Sequence, residues 1–124
     1  MRLLPDTHVV LWWFDEPERL SARARTLLED DDNPILFSAA VVWEAAIKQA
    51  LGKLDSLADY DLLLDEGGAT PLPINSAHAQ AAAALPLHHR DPFDRILVAQ
   101  AQIEGAVLLT ADPAMRAYDV RIEW

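Results

Sequence analysis

Three short runs of unbroken apolar residues set the strongest limit on this chain: Leu3-Leu4, Ile35-Leu36-Phe37 and Val107-Leu108-Leu109. None alternates with polar residues, so none can line a half-wet antiparallel sheet. Strands apolar on both sides need cover on both faces, which is the condition of a parallel sheet between helices. The segments between them read as helices. The predicted class is therefore α/β, a three-layer α/β/α sandwich around a mostly parallel sheet, with residues 1–124 as one domain.

Local signals place the elements. Arg2–Pro5 is a short strand ending at Asp6, and Thr7–Phe14 (THVVLWWF) a short buried helix. Ser21 opens the helix SARARTLLED; the acids Glu29-Asp30-Asp31-Asp32 form its solvated end. Asn33-Pro34 turns into the second strand, after which Ser38 caps AAVVWEAAIKQALG, stopped by Gly52. A further helix is expected over Leu57–Glu66, ended by Gly67-Gly68. Thr70–Ile74 carries two prolines and suits a sheet edge. Asn75 or Ser76 caps SAHAQAAAAL. Asp91 caps a helix that begins at Pro92 and is stopped by Gly105; Asp94, at its third position, is placed to reach back to the capping amide. Val107–Leu109, a short turn at Asp112-Pro113 and a strand over Val120–Trp124 complete the chain.

Composition excludes several chemistries. The absence of cysteine removes disulfide scaffolds, thiolate zinc sites and cysteine nucleophiles. An acid at position 6 leaves no room for the apolar core of a signal peptide, and no charge-free apolar run reaches membrane-spanning length. A cytoplasmic protein without membrane contact is expected. Four glycines make neither a phosphate loop nor a dinucleotide fingerprint, so no nucleotide cofactor is expected. Ten basic against twenty acidic residues, a net charge of −10, speak against a broad basic nucleic-acid surface.

Four of those acids stand out. Glu44 is the only charge between Ser38 and Ile47, in a helix apolar almost all round; its plain alternative is an i,i+4 pair with Lys48. Asp6 ends the first strand and Asp112 follows the strand Val107–Leu109 closely, where open α/β sheets hold ligands. Each has a capping alternative, as Asp94 does. Should the fold bring all four together, their repulsion demands protons or a divalent cation, and an all-oxygen set suits magnesium or manganese.

The strings LLPDTHVVLWW, SAAVVWEAAIK, LPLHHRDPFDRILVAQA and LLTAD, in this order, resemble the PIN-domain ribonucleases, and among them the VapC-like toxins of bacterial toxin–antitoxin pairs. Pro5 is a mild departure from the family's aliphatic residue. The resemblance implies an acidic metal site at Asp6, Glu44, Asp94 and Asp112, with Thr7 and Thr110 as supporting hydroxyls and Asp91 as cap or outer acid. Arg90 and Arg95 are candidate phosphate contacts, with local ion pairing as their alternative. It further implies Mg²⁺- or Mn²⁺-dependent hydrolysis of RNA to 5′-phosphate and 3′-hydroxyl ends, and an antitoxin as partner. A PIN-like binding module without the reaction is the main alternative. A phosphohydrolase with Asp6 as nucleophile is weaker, because His8 stands where a second aspartate belongs.

His88 and His89 read as loop histidines with ordinary hydrogen bonds. Trp12 and Trp13, adjacent on a short helix, cannot both face one core: either one marks an interface with a homodimer partner or the antitoxin, or the two pack different sides of the helix. Trp43 reads as core.

Overall fold

The computed structural model describes residues 1–53 and 67–124; the helix expected over Leu57–Glu66 lies outside them. Five strands form one sheet: β1 (Leu3–Pro5), β2 (Ile35–Ser38), β3 (Ala69–Leu72), β4 (Val107–Leu109) and β5 (Ile122–Glu123). All pairings are parallel and the order is β3-β2-β1-β4-β5. The architecture is the expected α/β/α sandwich. Every residue of β1, β2 and β4 is buried, which is what helices on both faces require. Pro5 closes β1 opposite Leu109, and the ladder resumes at once with Asp6 N–H donating to Leu109 O at 3.0 Å. β3, with its proline, is an edge strand, as the sequence requires.

Among the described residues the helices are α1 (Thr7–Asp15), α2 (Ala22–Glu29), α3 (Ala39–Ala50), α4 (Ser76–Ala84) and α5 (Pro92–Glu104), with 3-10 turns at Pro17–Arg19 and Pro113–Ala117. Each start has a side-chain cap. Asp6, Ser21, Ser38, Asn75 and Asp91 accept from amides of the first turns of α1 to α5. α5 ends at Gly105, whose φ of 64° is left-handed and costs a glycine little. α5 packs against α3, α4 and β4, and α1 packs against α3.

A buried polar network locks α5 in place. Gln100, fully buried, accepts from Ser38 Oγ at 2.6 Å and donates from Nε2 to Pro73 O at 3.4 Å. Buried His78 lies 3.0 Å from Glu104 through Nε2 and accepts the Asn75 N–H on Nδ1.

One expectation about the core is overturned. Trp43 is 59 % exposed and meets Phe93 edge-on, ring centroids 4.9 Å apart. An apolar surround in sequence gave no direction: Ala40, Val41 and Ala45 take the core side of α3, and Trp43 lines a groove of about 630 Å³ with Phe93, Ile96 and Leu87. Trp12 and Trp13 are both partly buried. No helix among the described residues is long and apolar enough to cross a membrane.

Candidate functional site

β1 and β4 are neighbours, and from them the strand order runs outward in opposite senses. The crevice beyond their carboxyl ends is the usual ligand position of an open α/β sheet. Asp6 follows β1 and Asp112 follows β4 after only Thr110 and Ala111. Both also serve as caps: Asp6 Oδ1 accepts Val9 N–H at 3.0 Å, and Asp112 Oδ1 accepts Ala114 N–H at 2.9 Å. Capping uses one oxygen of each carboxylate; the other oxygen of Asp6 takes the Thr110 hydroxyl and that of Asp112 lies near His89.

Thr110 joins the two strand ends. Its hydroxyl accepts the Asp112 N–H at 3.1 Å and donates to Asp6 Oδ2, so the hydroxyl proton has a fixed direction. Thr7, the first residue of α1, donates its hydroxyl to Glu44 Oε1 across the α1–α3 contact. Glu44 therefore faces the same side as Asp6, and the Lys48 pair is present as well, at 3.9 Å.

Asp94 comes from the first turn of α5. The reciprocal bond expected from it to the capping amide is not made. Asp91 does cap the helix, taking Phe93 N–H at 2.8 Å and Asp94 N–H at 3.3 Å, but its own N–H donates to His89 Nδ1 at 3.0 Å. With that bond supplied by an imidazole, the Asp94 carboxylate turns to the crevice. His89 Nε2 sits 3.5 Å from Asp94 Oδ2 and 3.5 Å from Asp112 Oδ2. An Nδ1 that accepts from an amide leaves Nε2 carrying a proton, and so Nε2 presents a donor to both acids. The reading of His88 and His89 as ordinary loop residues needs correcting for His89 alone. His88 is exposed, its ring edge-on to Tyr118.

Ligand atoms of His89, Asp94 and Asp112 lie within 4.8 Å of one another, the one such group among the described residues. Asp6 and Glu44 fall outside this tightest set but act on it electrostatically. Burial, then Asp91, Asp6 and Glu44, push the Asp94 carboxyl up to about 7, with His89 opposing them. Burial also raises Asp6, only 6 % exposed; its bonds from Thr110 and Val9, and His8, work against this, while Glu44 adds to it. Acids held above their usual range by burial and by one another form a site short of positive charge.

Arg95 is not free to meet a phosphate. Its guanidinium donates to the carbonyls of Ala82 at 2.9 Å, Leu85 at 3.0 Å and Pro86 at 2.9 Å, more distantly to His89 O, and touches Tyr118 Oη at 3.4 Å. Tyr118 Oη in turn accepts the His89 N–H at 2.8 Å. Arg95 and Tyr118 thus hold the loop that aims His89, a job that nothing in their local sequence announces. Arg90 is exposed and borders the Trp43 groove.

Comparison with known proteins identifies the fold and the family. Ribonuclease VapC22 of Mycobacterium tuberculosis is 33 % identical over 125 residues, covering 94 % of this chain and 91 % of that protein. The crystal structure of VapBC2 from Rickettsia felis bound to a DNA fragment from its promoter superposes with a TM-score of 0.74 at 15 % identity, covering 99 % and 98 % of the two chains. A toxin–antitoxin complex from Klebsiella pneumoniae gives 0.66 at 18 %, covering 98 % and 96 %. The PIN domain model matches residues 3–121. With a sheet of PIN type, acids at its switch point and a family match over nearly the whole length, the chain belongs to the PIN-domain family.

Proposed function

We propose that this chain is a metal-dependent endoribonuclease acting as the toxin of a toxin–antitoxin pair. The observation that carries the reading is the meeting of Asp94 and Asp112 beside Asp6 and Glu44, with Asp94 raised to about 7. Such crowding suits a hard divalent cation, and the carboxylate donor set fits Mg²⁺ or Mn²⁺. Asp94 and Asp112 would hold the ion, with Asp6 and Glu44 completing its surroundings. Bound there, it would polarise a phosphodiester and lower the pKa of an attacking water.

The remaining work falls to the chain itself. Thr110 keeps the Asp6 and Asp112 carboxylates in register from either side of the strand pair, and Thr7 fixes Glu44. The amino ends of α1 and α5 point their partial positive charge at the same place, which favours anionic groups there. His89 offers an N–H rather than a lone pair, so we assign it to orienting Asp94 and Asp112 and not to ligation.

An antitoxin is the proposed partner, in line with relatives crystallised as toxin–antitoxin complexes. A second copy of the chain is the other proposed partner. The test of function is cleavage of single-stranded RNA by the purified chain with Mg²⁺ or Mn²⁺. Cleavage to 5′-phosphate ends is expected, lost with a chelator and in Asp6→Asn or Asp94→Asn. Undiminished cleavage in either variant overturns the site.

A further inference from the structure

A second hollow opens beside Asp112, of about 420 Å³, lined by His8, Trp12, Arg19 and Ala111 as well as Asp112 itself. We propose that it receives one base of single-stranded RNA, next to the phosphate being cut. This rests on the ribonuclease reading and adds a substrate subsite to it.

The hollow is built from stacked planar groups. His8 and Trp12 lie one helical turn apart on α1, with ring centroids 5.8 Å apart and an interplanar angle of 26°. The Arg19 guanidinium carbon stands 4.6 Å from the Trp12 ring centroid, and Trp124 packs against Trp12 at 5.9 Å. Partly buried Trp12 is fixed from three directions, whereas His8 is exposed and presents its outer face to solvent. A base added to the outer face of His8 extends a stack that already exists, with little ordering cost. Aromatic and guanidinium planes of this kind are how proteins hold unpaired bases.

Position and charge select RNA over a small metabolite. Asp112 belongs to both the hollow and the acidic group, so whatever fills the hollow sits beside the reacting phosphate. Among the described residues Arg19 forms an ion pair only with an exposed Glu16, at 3.3 Å. It can leave that weak surface pair for a backbone phosphate, supplying the positive charge that a chain of net charge −10 otherwise withholds from RNA. The size, within the range of about 300–1,000 Å³ typical of small-ligand sites, is enough for one nucleoside.

The experiment is steady-state cleavage of a short RNA in which an abasic residue is walked through the sequence, using the native chain, His8→Ala and Arg19→Gln. Both side chains are exposed, and melting temperatures check that both variants fold. For the native chain, KM rises about tenfold or more when the abasic residue falls at one fixed distance from the cut, the worth of one base–aromatic stack. Each variant raises KM for unmodified RNA by a similar factor, loses the abasic dependence and keeps kcat within about twofold. A flat abasic scan with native KM in both variants overturns the base subsite while leaving the ribonuclease reading intact. Variants that cleave RNA normally but lose a copurifying partner chain assign the hollow to protein contact, and the proposal falls. No cleavage of any RNA by the native chain refutes the underlying function, and the subsite with it.

Discussion

Asp94→Asn separates electrostatic cost from catalytic use. In the unfolded chain this carboxyl loses its proton near 3.8; in the folded chain it does so at about 7. Between those values the folded state binds the extra proton, so stability falls as pH rises. The contribution is whole below pH 4 and gone above pH 7. A rise from 3.8 to about 7 corresponds to about 4 kcal/mol as an upper bound. The side chain keeps 22 % exposure, and water screens the repulsion, so the expected cost is about 1–2 kcal/mol.

Asparagine has nearly the same shape and never ionises. Without metal, the variant and the native chain should melt together near pH 4, and by pH 8 the variant should melt about 4–8 °C higher. Millimolar Mn²⁺ should reverse the order, raising the native chain and leaving the variant unmoved. The assay is thermal unfolding by circular dichroism at pH 4, 6 and 8, with chelator or with Mn²⁺. A variant less stable than native at pH 8, or a gap that does not change with pH, would falsify the repulsion on which cation binding is argued.

Substitutions at four further residues probe the surroundings. Thr110→Val removes the donor to Asp6 and the acceptor for Asp112 N–H; activity should fall at least tenfold with stability down about 1–3 kcal/mol, read by cleavage and melting. His89→Gln keeps an N–H near the two acids and should retain Mn²⁺ affinity better than His89→Ala by titration calorimetry; a loss of Zn²⁺ binding specific to both would make His89 a ligand instead. Arg95→Lys cannot serve the three well-bonded carbonyls and should lower the melting temperature by several degrees, KM for RNA staying within about twofold in the folded protein. Gln100→Ala strands Ser38 in the core and should cost about 2–4 kcal/mol by denaturant unfolding, with no change in metal affinity.

What the sequence disclosed and what it concealed divide along a physical line. The sheet was legible because residues such as Leu3-Leu4 and Val107–Leu109 have only one environment that suits them, whereas the strand order β3-β2-β1-β4-β5, with β1 beside β4, does not follow the order along the chain. Glu44 was legible for the opposite reason, being a charge where its neighbours predict none. Trp43 misled, because an apolar helix surface says that two sides avoid water without saying which of them the domain itself covers. His89 was hidden because its part depends on Asp91 N–H holding one ring nitrogen and on Arg95 and Tyr118 holding its loop, contacts that no spacing encodes. The acids that looked most like mere caps carry the most instructive lesson. Asp6 and Asp112 do cap their helical turns, yet they also border the crevice, and the two roles share a cause. A carboxylate oxygen at a helix start is fixed by amides, and those same amides and the helix dipole make the place hospitable to negative charge. Crowded carboxylates are therefore cheapest to build from caps, and a capping motif at the end of a buried strand is a reason to look for chemistry rather than to stop looking.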